Sequence, residues 1–190
     1  MQYVITHSRW HNNYDVSVGN YHSYHVDNSK ITPGKPDLTF HAGPDTTSPI
    51  IGSCRYHHFS SDTEIGLGDP SHSHKIELNR EGLLPKRYSF RTNLSDQKPR
   101  TFTWKGTSQG SGHHNHKLVD ENTQQIVALF SSGSRFSSTD GQLDIYVEYG
   151  PQFSLLALMT FLALHEKRRR ARNSSAAAGG AGAGASGVGA

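Results

Sequence analysis

Histidine is the residue this sequence overuses, with 13 copies in 190 residues. His72-Ser73-His74 and His113-His114-Asn115-His116 have spacings at which imidazoles can share a transition-metal ion. Both clusters sit in Gly/Ser-rich polar stretches. The single cysteine, Cys54, offers no second thiolate for a structural zinc site. The expectation is solvated loop histidines, with no metal and no cofactor. Gly106-Thr107-Ser108-Gln109-Gly110 matches the G-x-S-x-G pattern of a nucleophile elbow. That chemistry needs a strand before the serine and a helix after it. Thr101–Lys105 can supply the strand, but Ser111–His116 has no helical character. Gly66-Leu67-Gly68 runs into Asp69-Pro70 and lacks the third glycine of a dinucleotide fingerprint. Asp62, Glu64 and Asp69 lie close together, yet nothing pairs them as acid and base. They read as turn polarity and capping, and the chain reads as a non-enzyme.

The remaining chemistry is cationic. The net charge of +3 is unevenly spread. Five of the 19 basic residues are Lys167, Arg168, Arg169, Arg170 and Arg172. Without residues 166–190 the body carries a slight negative excess. That argues against a nucleic-acid-binding body and makes the positive charge a local tag. A second, looser basic group is Lys86, Arg87, Arg91, Lys98 and Arg100. Residues 167–172 have three readings: a solvated helix end that complements the helix dipole, a contact for anionic lipid, or a nuclear-localisation or nucleic-acid patch.

These charges must be held by the elements around them. Just before the 167–172 cluster lies the only long apolar run, Phe153 to Leu164. Gly150 breaks the preceding pattern, and Pro151 suits a first helical position because its missing N–H is not needed there. Phe153, Leu155, Leu156, Leu158, Met159, Phe161, Leu162 and Leu164 leave no polar face, so this helix must be enclosed. Its 12 residues span roughly 18 Å, short of the ~20 residues a bilayer core requires. Enclosure by protein is the expectation, with a central helix over 151–166. The alternative is a tail anchor with residues 152–165 in lipid.

The first 150 residues read as β. Strand candidates are Tyr3–Thr6, His22–Val26, Leu38–His41, Pro49–Tyr56, Ile65–Pro70, Lys75–Leu78, Tyr88–Arg91, Thr101–Lys105, Lys117–Asp120, Gln125–Phe130 and Gln142–Tyr149. Thr101–Lys105 puts Phe102 and Trp104 on one face, which makes Trp104 a core residue. Glu121–Gln124 reads as a hairpin turn. Each strand has one apolar face, and a closed sheet wrapped around the apolar helix satisfies both partners. Residues 173–190, almost entirely Ala, Gly and Ser, read as a disordered tail after a barrel domain over 1–172. Hydrophobic content is 33%, low for one domain. The N-terminus lacks the charged and apolar regions of a signal peptide, and one cysteine suits a reducing compartment. The glycosylation patterns Asn93-Leu94-Ser95 and Asn173-Ser174-Ser175 are therefore expected to be silent.

The order of these features resembles the tubby C-terminal-like superfamily, which includes tubby proteins, LURP-one-related proteins and phospholipid scramblases. The resemblance is carried by Phe102-Thr103-Trp104, then Lys117–Phe130, then the strand Leu143–Tyr149 leading straight into Phe153–Leu164. It covers roughly residues 1–165 and is nearest to small tubby-like proteins of filamentous fungi. It implies a closed antiparallel barrel of about twelve strands around a hydrophobic C-terminal helix. It also implies binding of phosphoinositide headgroups by lysines and arginines. The candidates are Lys167, Arg168, Arg169, Arg170 and Arg172, with Lys86, Arg87, Arg91, Lys98 and Arg100. No palmitoylated cysteine stretch of the scramblase type is present. The functional expectation is a monomeric, cytoplasmic or membrane-peripheral binding module for anionic phospholipid. The alternatives are the tail anchor and a nuclear or partner-binding adaptor using 167–172.

Overall fold

The computed structural model describes residues 1–8, 12–19, 21–29, 32–57, 60–69, 73–82, 87–93, 98–107, 115–133 and 139–180. Its strands are β1 (Gln2–His7), β2 (Tyr14–Val18), β3 (Tyr21–Asn28), β4 (Leu38–His41), β5 (Ile50–Tyr56) and β6 (Thr63–Leu67). They continue as β7 (His74–Glu81), β8 (Arg87–Asn93), β9 (Pro99–Thr107), β10 (Asn115–Asp120), β11 (Gln125–Ser132) and β12 (Gly141–Ile145). Each strand pairs antiparallel with its neighbours in the chain. β12 returns to β1 through Tyr3↔Leu143 and Ile5↔Gly141, so the barrel is closed and keeps no open edge.

Side chains alternate across the pleat, and the inward set is apolar. Tyr3 and Ile5, Leu38 and Phe40, Ile76 and Leu78, and Leu143 and Ile145 are all buried. Phe102 and Trp104 share the inner face of β9, and both are buried. The strand that the sequence candidates omit is β2. Its signal was there to read, since Tyr14 and Val16 alternate between Asn12-Asn13 and Gly19, and both are fully buried. β12 stops at Ile145 rather than reaching Tyr149, although Val147 and Tyr149 still pack against the core.

Helix α1 (Pro151–Gly180) follows. Gly150, at φ 92°, turns the chain in a conformation that a side chain would strain, and Pro151 opens the helix. Strands run alternately up and down, so α1 enters the barrel beside the ends of β1's partners at one mouth, the start mouth. It leaves at the opposite one, the exit mouth. Inside, Phe153, Leu156, Leu158, Met159, Phe161, Leu162 and Leu164 are buried on every side, while Leu155 is partly buried at the core's margin. Phe102 packs on Phe153 with ring centroids 4.9 Å apart, and Phe130 stacks on Phe161 at 4.0 Å. A Cβ at Gly52 would lie 2.5 Å from Met159 Cε, so the Met159 tip packs directly onto this glycine and would have to move for any larger residue.

Thr160, the one β-branched residue of the apolar run, is fully buried and accounted for. Its hydroxyl donates to Leu156 O at 2.9 Å and accepts from Trp104 Nε1 at 3.0 Å. Residues 153–164, for which lipid was the alternative enclosure, are thus enclosed by the sheet. Among the described residues no helix is long and apolar enough to cross a membrane. The helix also runs further than the sequence reading allowed. Residues 173–180, expected as the start of a disordered tail, are helical. Alanine is the best helix former, and the Ser174 and Ser175 hydroxyls bond back to Ala171 O within the helix. Residues 181–190 of the expected tail lie outside the described residues.

Candidate functional site

The exit mouth is where α1 brings its basic residues against the barrel rim. Its centre is Glu166, two residues past the apolar run and fully buried. A buried carboxylate must be paired. Tyr14 Oη donates to it at 2.7 Å, and Arg169 Nε and Arg170 Nε donate at 2.6 and 2.7 Å. A further Arg169 bond from Nη2 measures 3.1 Å. Burial alone would raise the pKa of Glu166. The bonds from Arg169, Tyr14 and Arg170 outweigh burial and hold it at about 2, against an ordinary 4.5.

Arg170 reaches on to the rim. It donates to Asp37 Oδ1 at 2.6 Å, Asn28 Oδ1 at 2.7 Å and Ser29 O at 3.2 Å, with its guanidinium 4.9 Å from the Tyr56 ring centroid. Arg169 adds a bond to Asn12 Oδ1 at 3.3 Å. Lys167 donates to Ser61 O and, at 3.4 Å, to Asp62 O. Asp62 is itself a rim cap, accepting from Arg80 N and Ser60 Oγ. So β2, β3, the turn before β4 and the turn before β6 all grip residues 166–170. On the same rim His7 keeps a buried Nε2 with no hydrogen-bond partner among the described residues. Burial, then the nearby Arg169 charge, lower its basicity.

The five basic residues therefore separate into two groups. Lys167, Arg169 and Arg170 are spent on internal bonds. Arg168 is half-buried beside Tyr88, and burial, partly opposed by Tyr88, pulls its basicity down. Arg172 is exposed. No acceptor bonds either of these two among the described residues.

The second basic group divides between the two mouths. β8 starts at the exit mouth and ends at the start mouth. Arg87 is exposed at its first residue, and Arg91 is exposed four residues on, roughly 13 Å away. Lys98 is exposed beside β9 at the start mouth. Arg100 is held there by Asp120 Oδ2 at 3.2 Å and Tyr149 Oη at 3.3 Å, with its guanidinium 5.2 Å from the Tyr149 ring centroid. Asp120 is fully buried, so Arg100 is its structural partner. Lys86 lies outside the described residues.

The other chemical candidates also resolve. Trp104 is core, as expected. His74 is exposed at the head of β7, but His116 is not a solvated loop histidine. It stands on β10, in the inward phase shared with Leu118, and packs 6.2 Å from the Phe161 ring. His72, His113, His114 and Ser108 lie outside the described residues. Among the described residues no three His, Cys, Asp or Glu side chains converge as a metal site. Glu64 pairs with Lys75 at 3.1 Å, a surface contact rather than an acid/base pair. Sequence reasoning missed Glu166, Tyr14, Asn28 and Asp37. Only Glu166 had a local signal, its spacing of three and four to Arg169 and Arg170. Comparison of the chain with protein-family models, with curated proteins and with solved structures finds no match.

Proposed function

We propose that this protein is a tubby-like, non-enzymatic binding module that docks peripherally on anionic membranes, phosphoinositide-bearing ones included. The docking face is the exit mouth of the barrel. The tubby-like part is supported by the twelve-stranded closed barrel and its central C-terminal helix. The docking part is carried by one observation. Arg168 and Arg172 lie one helical turn apart where the helix leaves the barrel, and no acceptor among the described residues bonds them. Arg87 opens β8 on the same rim. Lys167, Arg169 and Arg170 contribute by fixing the helix end, and so the direction in which Arg168 and Arg172 point.

A nuclear-localisation or nucleic-acid use of residues 167–172 is less well supported. It needs the whole basic run free, and three of its five cations are engaged in bonds to the rim. Each basic residue near an anionic surface contributes about 1 kcal/mol. Replacing both Arg168 and Arg172 with Gln is therefore expected to weaken binding to phosphoinositide-bearing vesicles roughly 30-fold in co-sedimentation. Equal binding by R168Q/R172Q and the parent would overturn the assignment of the face.

A further inference from the structure

We propose that Ser175 is a phosphorylation site for a basophilic serine kinase, and that the phosphate switches off the docking face. The inference rests on the membrane-docking reading above for its consequence, but not for the modification itself. Arg172 stands three residues before Ser175 in the arrangement R-x-x-S, while Arg170, five residues before it, is held by the rim. A kinase with an acidic substrate cleft selects its serine by such an upstream arginine, through charge complementarity.

The fold makes this serine reachable. The exit-mouth network clamps the helix as far as Arg170, and from Ala171 to Ser175 every residue is exposed. Among the described residues the Ser175 hydroxyl bonds only within its own helix, to Ala171 O at 3.0 Å. A kinase must bind its acceptor in extended form. Here the exposed helix over Ala171–Ser175 can unwind without disturbing the barrel, because so short a stretch of helix has little stability of its own.

In the intact helix Ser175, unlike Ser174, also shares the face of Arg168 and Arg172. At about 100° per residue, Arg168, Arg172 and Ser175 fall within roughly 60° of one another on a single face of the helix. Ser174 lies on a different face. In the transfer, Ser175 Oγ attacks the γ-phosphorus of ATP. The new O–P bond forms as the bond to the β,γ-bridging oxygen breaks. ADP leaves with that electron pair, and the hydroxyl proton passes to the kinase's catalytic carboxylate. The product carries about −1.5 to −2 at neutral pH, which cancels the charge of Arg168 and Arg172 together. A phosphate in the last turns of α1 also opposes the helix dipole and favours unwinding there.

The test uses the full chain, Mg-ATP and a serine kinase that selects arginine three residues before its acceptor. No membrane is present, and the readouts are intact mass and fragment mapping. The expected result is one phosphoryl group on Ser175, its loss in S175A, and transfer at least about tenfold slower in R172Q. Absence of transfer, transfer confined to Ser174 or another residue, or an R172Q variant modified as fast as the parent would each overturn the site. The phosphorylated and unmodified proteins are then compared on phosphoinositide-bearing vesicles. Weakening of roughly 30-fold is the expected effect of cancelling two charges. Equal binding would overturn the switch. If the unmodified protein does not bind these vesicles, the docking reading and the switch both fail, and the modification is decided by the phosphoryl-transfer result alone.

Discussion

Glu166→Gln is the substitution that most directly tests how the exit mouth is held. The change keeps the size of the side chain but removes its charge. It also turns one acceptor oxygen into an NH2 group facing guanidinium donors. The wild-type carboxyl sits at about 2 instead of 4.5. Linkage converts that difference to roughly 3 kcal/mol of stability at neutral pH. The figure agrees with the ~3–5 kcal/mol lost when one partner of a buried ion pair is removed. In a chain of this size, 3 kcal/mol lowers the melting temperature by about 6–12 °C. The pH dependence follows from the sign of the shift. A carboxyl whose folded value lies below its unfolded one stabilises fully above 4.5 and loses that contribution as pH falls toward about 2. By about pH 3.5, roughly 1.4 kcal/mol of it is gone. Urea unfolding of both proteins at neutral pH and near pH 3.5 should therefore show a gap that narrows in acid. A variant within about 0.5 kcal/mol of the parent at neutral pH would refute the reasoning, as would a gap that stays constant.

Leu158→Asp places a charge at a fully buried position inside the barrel. The protein is expected to lose its cooperative thermal transition, followed by circular dichroism. A folded L158D protein would contradict enclosure of the helix by the sheet. Gly141→Ala sets a Cβ 2.4 Å from Ser131 O and 2.5 Å from Phe130 Cζ, where β12 closes against β11. The expected cost is about 1–3 kcal/mol in urea unfolding, and an unchanged midpoint would show that this closure has slack.

The fold was legible because two patterns demanded each other. Strands with one apolar face need a core, and a helix apolar on all sides needs enclosure. Phe153–Leu164 announced the second requirement, while pairs such as Phe102 and Trp104 announced the first. β2 escaped because its alternation of Tyr14 and Val16 with polar residues runs over only five residues. His116 escaped because its neighbours in sequence are loop-like, whereas its environment is set by β10's phase and by Phe161 across the barrel. Arg100 escaped for a related reason. Its partners, Asp120 and Tyr149, are 20 and 49 residues away in the chain. Pairing over such separations is decided by strand register, which no local pattern records.

The basic run illustrates how a charge count differs from a charge surface. Read along the chain, Lys167 to Arg172 is one tag of five cations. In the fold, Glu166 of the helix itself, together with Asp37, Asn28 and backbone oxygens of the barrel rim, lies where it meets Lys167, Arg169 and Arg170. A helix end carrying buried charge is costly to hold unless every donor finds an acceptor, so most of the run is consumed in anchoring. What remains for a ligand is set by helical phase. Arg168 and Arg172 are four residues apart, so they share a face, and Ser175 extends that face by another turn. Anchoring and the proposed docking are thus separated by rotation about one helix axis. A substitution at Arg170 should weaken the fold first and lipid binding only as a consequence, whereas one at Arg172 should weaken binding and leave the melting temperature within about 1 °C. Measuring both quantities on R170Q and R172Q distinguishes these roles. Equal loss of stability in the two variants would refute the division.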